Sequence, residues 1–203
     1  MRTKRWIRCR GVSVLVALSL CVVAPRMLAG QGAAPGKEQA DDAAGFKEFS
    51  VRVQAYVKLQ KTVESGLPAL KPTDLPEMIT AHQEALARKI REARPHAKSG
   101  DIFTPAACEA FRHASRAALE GPQLANARAH EQPDEPNPGM RLAVNGIYPD
   151  TEPITALAPA LLAAFPPLPV EVAYRVVGRT LILIDVKSRL IVDVAHQILP
   201  PAS

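Results

Sequence analysis

Two aspartates have the most chemically suggestive placement in this sequence. Asp185 and Asp193 flank a turn between two apolar strands, so their carboxylates could face each other across it, as an acid–base pair requires. Such a pair also needs a cleft, and the flanking sequence predicts only apolar strands. We therefore interpret both aspartates as polar residues that cap a turn and keep the strand ends soluble.

The histidines are too scattered to predict a metal site. No two of the five lie within five residues of each other: they are His82, His96, His113, His130 and His196. Glu109 and His113 stand four residues apart on one helix face and could supply two ligands, whereas a zinc site needs three or four. His82 falls on an apolar helix stripe, where we expect a partly buried, hydrogen-bonded side chain. The sequence therefore predicts no metal site and no cofactor.

The possible nucleophiles lack the neighbours that would activate them. Cys108 lies among small apolar residues, and its five-residue distance from His113 places the two side chains well apart around a helix. We expect it to be a small buried hydrophobe. The serines have no Gly-x-Ser-x-Gly setting. We therefore assign no catalytic residue, and a non-enzymatic protein is the preferred interpretation.

One surface has a distinct character. Basic residues crowd the end of the second predicted helix and the turn after it: Arg88, Lys89, Arg91, Arg94, His96 and Lys98. They could dock on anionic lipid head groups or on an acidic partner. They also match the negative end of the helix dipole, as a solvated face would, and this second interpretation is the preferred one.

The first thirty residues have the three-part order of a bacterial secretory signal. Basic residues come first, an apolar run spans Gly11 to Ala24, and small residues follow at Ala29 and Gly30. The run is shorter than the roughly 20 apolar residues of a transmembrane helix, although an uncleaved anchor is the alternative. Gln31 stands where a lipid-anchored protein needs Cys. We expect residues 1–30 to be removed after export across the inner membrane, and the mature chain to be periplasmic or secreted without a transmembrane segment.

The basic character of the sequence belongs largely to this signal. The chain has 25 Lys and Arg against 20 Asp and Glu, which gives a net charge of +5. Six of the basic residues and no acids lie in positions 1–30, which leaves 19 basic against 20 acidic residues, a net charge of −1. This balance is unlike that of nucleic-acid-binding proteins, so we predict no nucleic-acid partner.

Apolar spacing predicts a helical N-terminal half. Residues 31–45 show no apolar period and are predicted to be a flexible spacer. The helical region spans 46–121, as a helical hairpin or three-helix unit. Its helices are predicted to begin near Phe46, Asp74 and Thr104. A proline-rich acidic linker follows at 122–139.

The remaining module, 140–203, has the spacing of β-strands. Asn145-Gly146 predicts a hairpin between the residues on either side of it, and Gly178-Arg179 predicts a type II′ hairpin turn. Leu181 to Ile184 is apolar on both faces, so we expect this strand to be covered on both sides. Since aromatic residues make up only 4% of the chain, the core is expected to be aliphatic. The predicted fold is α+β, in which the helices and a small antiparallel β-meander share one core.

Two stretches carry a resemblance. The first is Gly100-Asp101-Ile102-Phe103-Thr104-Pro105. The second begins with Tyr174-Arg175, continues through Val177-Gly178-Arg179 and Leu181-Ile182-Leu183 to Asp185, and closes with Leu190-Ile191-Val192-Asp193. Both resemble secreted bacterial proteins of uncharacterised function. The second also resembles the terminal module of small periplasmic proteins, including a group linked to nickel and cobalt homeostasis. That group is richer in His and acidic residues upstream, so the resemblance implies a structural module and not metal handling.

The leading functional hypothesis is an exported, non-enzymatic interaction or accessory protein of the cell envelope. Its partner would be an unknown protein or an anionic envelope surface. A hydrolase or isomerase with an unrecognised site is one alternative, and a metal-responsive periplasmic protein is another. A flat apolar or basic patch would favour the first hypothesis, and a deep pocket lined by convergent polar groups would favour an enzyme.

Overall fold

Within the described part of the chain, four helices precede a three-stranded antiparallel sheet. A computed structural model describes residues 36–70, 75–119, 142–148 and 157–201. The helices are α1 (Lys37–Ser65), α2 (Pro76–Ala93), α3 (Pro105–Leu119) and the short α4 (Pro159–Ala164). The strands are β1 (Val172–Val177), β2 (Thr180–Asp185) and β3 (Ile191–Ala195). The α+β prediction is confirmed, while the predicted signal and linker lie outside the described residues.

Helix α1 begins nine residues earlier than its apolar pattern predicts. It starts at Lys37, so the prediction of a flexible spacer over 31–45 is wrong from that residue onward. The side chain of Gln39 accepts a hydrogen bond from the Gly36 amide at 3.2 Å, which stabilises the first turn. Gly45 is buried against the start of α3. A backbone contact of this kind leaves no apolar period in the sequence.

The other two long helices agree better with their predicted starts. Thr104 caps α3, because its Oγ1 accepts a hydrogen bond from the Ala107 amide at 3.3 Å. Helix α2 opens with Pro76, as suits a first turn, while the predicted cap at Asp74 lies outside the described residues. Helix α1 packs against both α2 and α3, so the three-helix unit is confirmed.

The sheet follows chain order, β1-β2-β3, and is antiparallel throughout. Gly178 has a positive φ of 58° between the paired residues Val177 and Thr180. Arg179 keeps a negative φ, as a type II′ turn requires. The residues of β2 from Leu181 to Ile184 are all buried, alternately against the main core and a second apolar cluster. The prediction that both faces of this strand are covered is confirmed.

The predicted hairpin at Asn145-Gly146 does not form: the turn is present, but the residues on either side of it do not pair with each other as strands. Asn145 has the expected positive φ, 65°, and the Gly146 amide bonds to Ala143 at 2.9 Å. The chain then pairs with the edge of β3 and not with the residues before the turn. The Ile191 amide donates to the Gly146 carbonyl at 2.8 Å, and Ile147 forms a bridge with Leu190. Pairing with a buried strand covers both an edge and apolar side chains, which a short isolated hairpin cannot do.

One core joins the helices to the sheet, as predicted, although it is not purely aliphatic. Its aromatic side chains include all five phenylalanines of the chain: Phe46, Phe49, Phe103, Phe111 and Phe165. Phe111 of α3 makes edge contacts with the other four, at centroid distances from 4.7 to 5.4 Å. The few aromatic residues therefore bring the separate elements together.

Candidate functional site

Asp193 is completely buried and saturated with backbone donors. Its Oδ1 accepts hydrogen bonds from the amides of Gly100 (3.0 Å) and Val194 (2.8 Å). Its Oδ2 accepts from the amides of Ile102 (2.7 Å) and Phe103 (2.8 Å). Burial raises the pKa of the Asp193 carboxyl, and the four N–H bonds oppose that rise. This carboxylate fastens β3 to the connection between α2 and α3, and all of its acceptor capacity serves that purpose.

Asp185 belongs to a different network. Its Oδ2 accepts a hydrogen bond from the Tyr56 hydroxyl at 2.8 Å, and its Oδ1 accepts from the Ser188 amide at 2.7 Å. Burial, with the nearby charge of Asp185, raises the pKa of Tyr56 far above its ordinary value, so this hydroxyl keeps its proton. Turn capping by Asp185 is confirmed, because Ser188 lies in the β2–β3 turn. The expectation that the two aspartates keep strand ends soluble is wrong, because both side chains are buried.

Cys108, the cysteine within the described residues, also has a structural contact, although it is half-buried and not fully buried as expected. Cys108 Sγ donates a hydrogen bond to the Phe103 carbonyl at 3.4 Å. Burial is the main cause that raises the pKa of Cys108, which disfavours the nucleophilic thiolate. The imidazole of His113 is engaged elsewhere, since its Nδ1 lies 2.9 Å from Asp42 Oδ1. The two side chains therefore do not act as a Cys–His pair in this geometry.

The Glu109–His113 pair splits between two partners. Glu109 forms an ion pair with Arg112 at 2.7 Å, while His113 turns toward Asp42 and lies 3.5 Å from Glu38. The carboxylates of α1 were assigned by sequence to a spacer, so their approach to His113 could not be foreseen. Within the described ranges, no group of three or more His, Cys, Asp or Glu has an arrangement that could hold a metal ion.

The basic cluster at the end of α2 is partly built into the fold. Arg91 donates to the Asn145 carbonyl at 2.8 Å. The guanidinium of Arg94 lies 5.1 Å from the Tyr56 ring centroid, at cation–π distance. Lys89 pairs with Glu92 on the same helix. A wholly solvated cluster is therefore the wrong interpretation, because two arginines join α2 to the segment at 142–148 and to α1.

An apolar groove at the junction of α1 and α2 is the feature that the sequence missed. It encloses about 680 Å³. Its lining includes Leu67, Leu70 and Ile79, with Lys61, Lys187 and His82 among the polar groups. The stripe of α2 pointed toward the core in the sequence pattern, yet its buried part begins only at Leu86.

Exposed apolar side chains lie at this groove and near it in the chain: Leu70 and Ile79 line it, and Leu75 and Met78 come within four residues before Ile79. Four large ones fall within ten residues of the chain, with exposed fractions from 38% to 54%: Leu70, Leu75, Met78 and Ile79. We call these four residues the α1–α2 patch. The sequence shows the apolar stripe of α2 but does not show where burial of that stripe begins. The exposed part of the stripe therefore becomes visible only in the structure. His82 is partly buried, which confirms the predicted burial of this side chain.

Comparison with protein-family models, curated proteins and solved structures finds no match to this chain. The resemblance to secreted bacterial proteins therefore stays a prediction. In the part of the chain that the structure describes, no helix has the length and apolar character needed to cross a membrane.

Proposed function

We propose that this protein is an exported, non-enzymatic interaction or accessory protein of the bacterial cell envelope, and that the α1–α2 patch is its binding surface. The observation that carries the proposal is the patch itself. Four large apolar side chains stand exposed within ten residues of the chain, and two of them, Leu70 and Ile79, line the groove at the helix junction. Contiguous exposed apolar surface of this kind is typical of protein–protein interaction sites.

The use of the polar side chains supports a binding role over catalysis. The two aspartates that could have formed an acid–base pair accept hydrogen bonds from structural donors. The thiol of Cys108 bonds to a backbone carbonyl. A general base or nucleophile must be able to reach a substrate, whereas both aspartates are buried and all three groups hydrogen-bond within the fold.

The proposed location rests on the first thirty residues. Their basic, apolar and small-residue order is that of an exported chain. Mass spectrometry of the protein from its native host tests this part separately, with a new N-terminus expected between Gly30 and Pro35. Recovery of Met1 or Arg2 on protein in the cytoplasm would end the export proposal and leave the binding proposal standing.

Site-specific photo-crosslinking tests the binding surface. A photoreactive residue at Met78, which is 51% exposed, should give a discrete cross-linked species in envelope extracts. The matched control is Val51, which is 62% exposed on α1 and lies outside the patch. The substitution Ile79→Asp should abolish the cross-link from Met78. Equal labelling from Met78 and Val51, or labelling that is insensitive to Ile79→Asp, would exclude the patch as the binding surface.

A further inference from the structure

The first turns of α1 are attached to the rest of the protein by few side chains. From residue 36 to residue 44 every side chain is exposed except that of Asp42, which is partly buried. Gly45 is the first buried residue of the helix. We call residues 36–44 the N-terminal arm. It has no buried apolar side chain to hold it in place.

His113 of α3 makes the polar contact that holds this arm. Its Nδ1 lies 2.9 Å from Asp42 Oδ1 and 3.5 Å from Glu38 Oε1. Glu38 and Asp42 are four residues apart and therefore share a helix face. The close backbone approach between Gly45 and Ala106 sets α1 beside α3 and brings this face over His113. The single partly buried side chain of the arm is thus the one that contacts the histidine.

The surroundings of His113 are predominantly acidic. A groove of about 880 Å³ opens beside it, and its charged lining residues are Lys37, Glu38, Asp41, Asp42 and Glu109. On α3, Arg112 pairs with Glu109 at 2.7 Å, and Arg116 is exposed one turn further along. Helix α4, which also packs on α3, contains no charged residue. A protonated His113 would therefore offset the negative charge of the two carboxylates nearest to it, Asp42 and Glu38, and a neutral one would not.

We propose that His113 is a pH-sensitive latch, which docks the N-terminal arm on α3 when protonated and releases it when neutral. Histidine changes its charge between pH 5 and 8, and a protonated imidazole adds the attraction of opposite charges to its contact with the Asp42 carboxylate. The attraction is therefore strongest at low pH and weakens as the pH rises. Gly45, a weak helix former, stands at the junction, so the arm can unwind while the buried turns from Phe49 onward stay folded.

The latch gives the protein a response to acidity that goes beyond its proposed binding role. If the chain is exported and cleaved where its signal predicts, the arm lies close to the N-terminus of the mature protein. Acidification of its surroundings would then order this segment against α3, and a return to neutral pH would free it.

Hydrogen exchange of the purified protein tests the latch. Amide protection over residues 40–44 should be about two- to fivefold greater at pH 5.5 than at pH 8, after correction for intrinsic exchange rates. The pH difference should vanish in His113→Gln. It should fall markedly in Asp42→Asn, which removes the nearest carboxylate and keeps the histidine and Glu38. The matched control, His82→Gln, alters a partly buried histidine on α2 and should retain the full pH difference.

Protection over Phe49–Val57 reports whether each variant is folded, and it should be the same in all of them. Equal protection of the arm at both pH values in the wild type would overturn the proposal. So would a pH difference that persists in both His113→Gln and Asp42→Asn, because the response would then arise from other groups.

Discussion

Replacement of Gly45 by alanine should have two opposite effects on stability, one through helix propensity and one through the packing of α1 on α3. Alanine is the better helix former by about 1 kcal/mol, so an isolated α1 would gain stability. In the folded protein, however, a Cβ at this position would lie 2.6 Å from the Ala106 carbonyl oxygen and 3.0 Å from its carbonyl carbon. Both atoms belong to the backbone of α3, so no side-chain rotation can relieve the contact.

The helices would have to separate, and the separation would reach the aromatic core. Phe49, one turn after Gly45, makes an edge contact with Phe111 of α3 at 5.0 Å between ring centroids. Overpacking of this kind costs about 1–3 kcal/mol, and burial of well-packed aromatic pairs is lost in addition. After subtraction of the propensity gain, we expect Gly45→Ala to reduce the free energy of unfolding by about 1–2 kcal/mol.

Urea unfolding followed by circular dichroism measures this free energy. Gly66→Ala is the matched control: Gly66 has an ordinary φ of −84°, and an added Cβ would meet only the Val63 carbonyl oxygen at 3.4 Å. Its effect should stay within about 0.5 kcal/mol. If Gly45→Ala proved as stable as the wild type or more stable, the close approach of α1 and α3 would be refuted, and with it the reason given for the early start of α1.

Three further outcomes follow from the buried polar groups and from the sheet. Asp193→Asn should lower the free energy of unfolding by about 2–4 kcal/mol, because an amide cannot accept hydrogen bonds from four backbone N–H groups. Asp185→Asn should lower it by about half as much, since one of the donors to Asp185 is a hydroxyl that can reverse its bond. Equal losses in urea unfolding would contradict this ranking. Cys108 should react with iodoacetamide at neutral pH far more slowly than free cysteine, because burial raises its pKa, and a rate equal to that of the free amino acid would show an accessible thiolate. Gly178→Val should lower the free energy of unfolding by about 1–3 kcal/mol through backbone strain at positive φ, and Leu183→Ala should lower it by about 2–5 kcal/mol through the cavity it leaves. No loss of stability in Gly178→Val would mean that the turn is not the tight one described.

The sequence predicts those elements whose pattern depends on their own residues. Strand β2 is an example. Its alternate residues pack into two different apolar clusters, and the continuous apolar run in the sequence predicts that both faces of the strand are buried. The turn at Gly178 is another, because positive φ at the first turn position calls for glycine. In both cases the information lies within a few residues of the element, and in both cases the structure agrees.

The incorrect predictions share a different physical cause. In each of them, the structure depends on contacts with residues that are distant in the sequence. The stretch 37–45 is helical although it has no apolar stripe, and its contacts with α3 are made by Gly45 with Ala106 and by Asp42 and Glu38 with His113. The local conformation of Asn145 could be predicted from the sequence. The strand with which this segment pairs, β3, could not, because β3 is distant in the sequence. The same reasoning explains the incomplete prediction of the binding surface, because the exposed end of the α2 stripe depends on where α1 stops covering it.

Burial at Asp193 gives the two stretches that carry the resemblance a common physical meaning. Three of its four donors, the amides of Gly100, Ile102 and Phe103, belong to the first stretch, and Asp193 itself closes the second. Residues about 90 positions apart therefore form one hydrogen-bonded lock between the α2–α3 connection and β3. A buried carboxylate is costly to desolvate unless donors surround it, so each stretch depends on the other. The two stretches thus fasten the helices to the sheet, and binding must be sought on surfaces that lie outside this hydrogen-bonded connection.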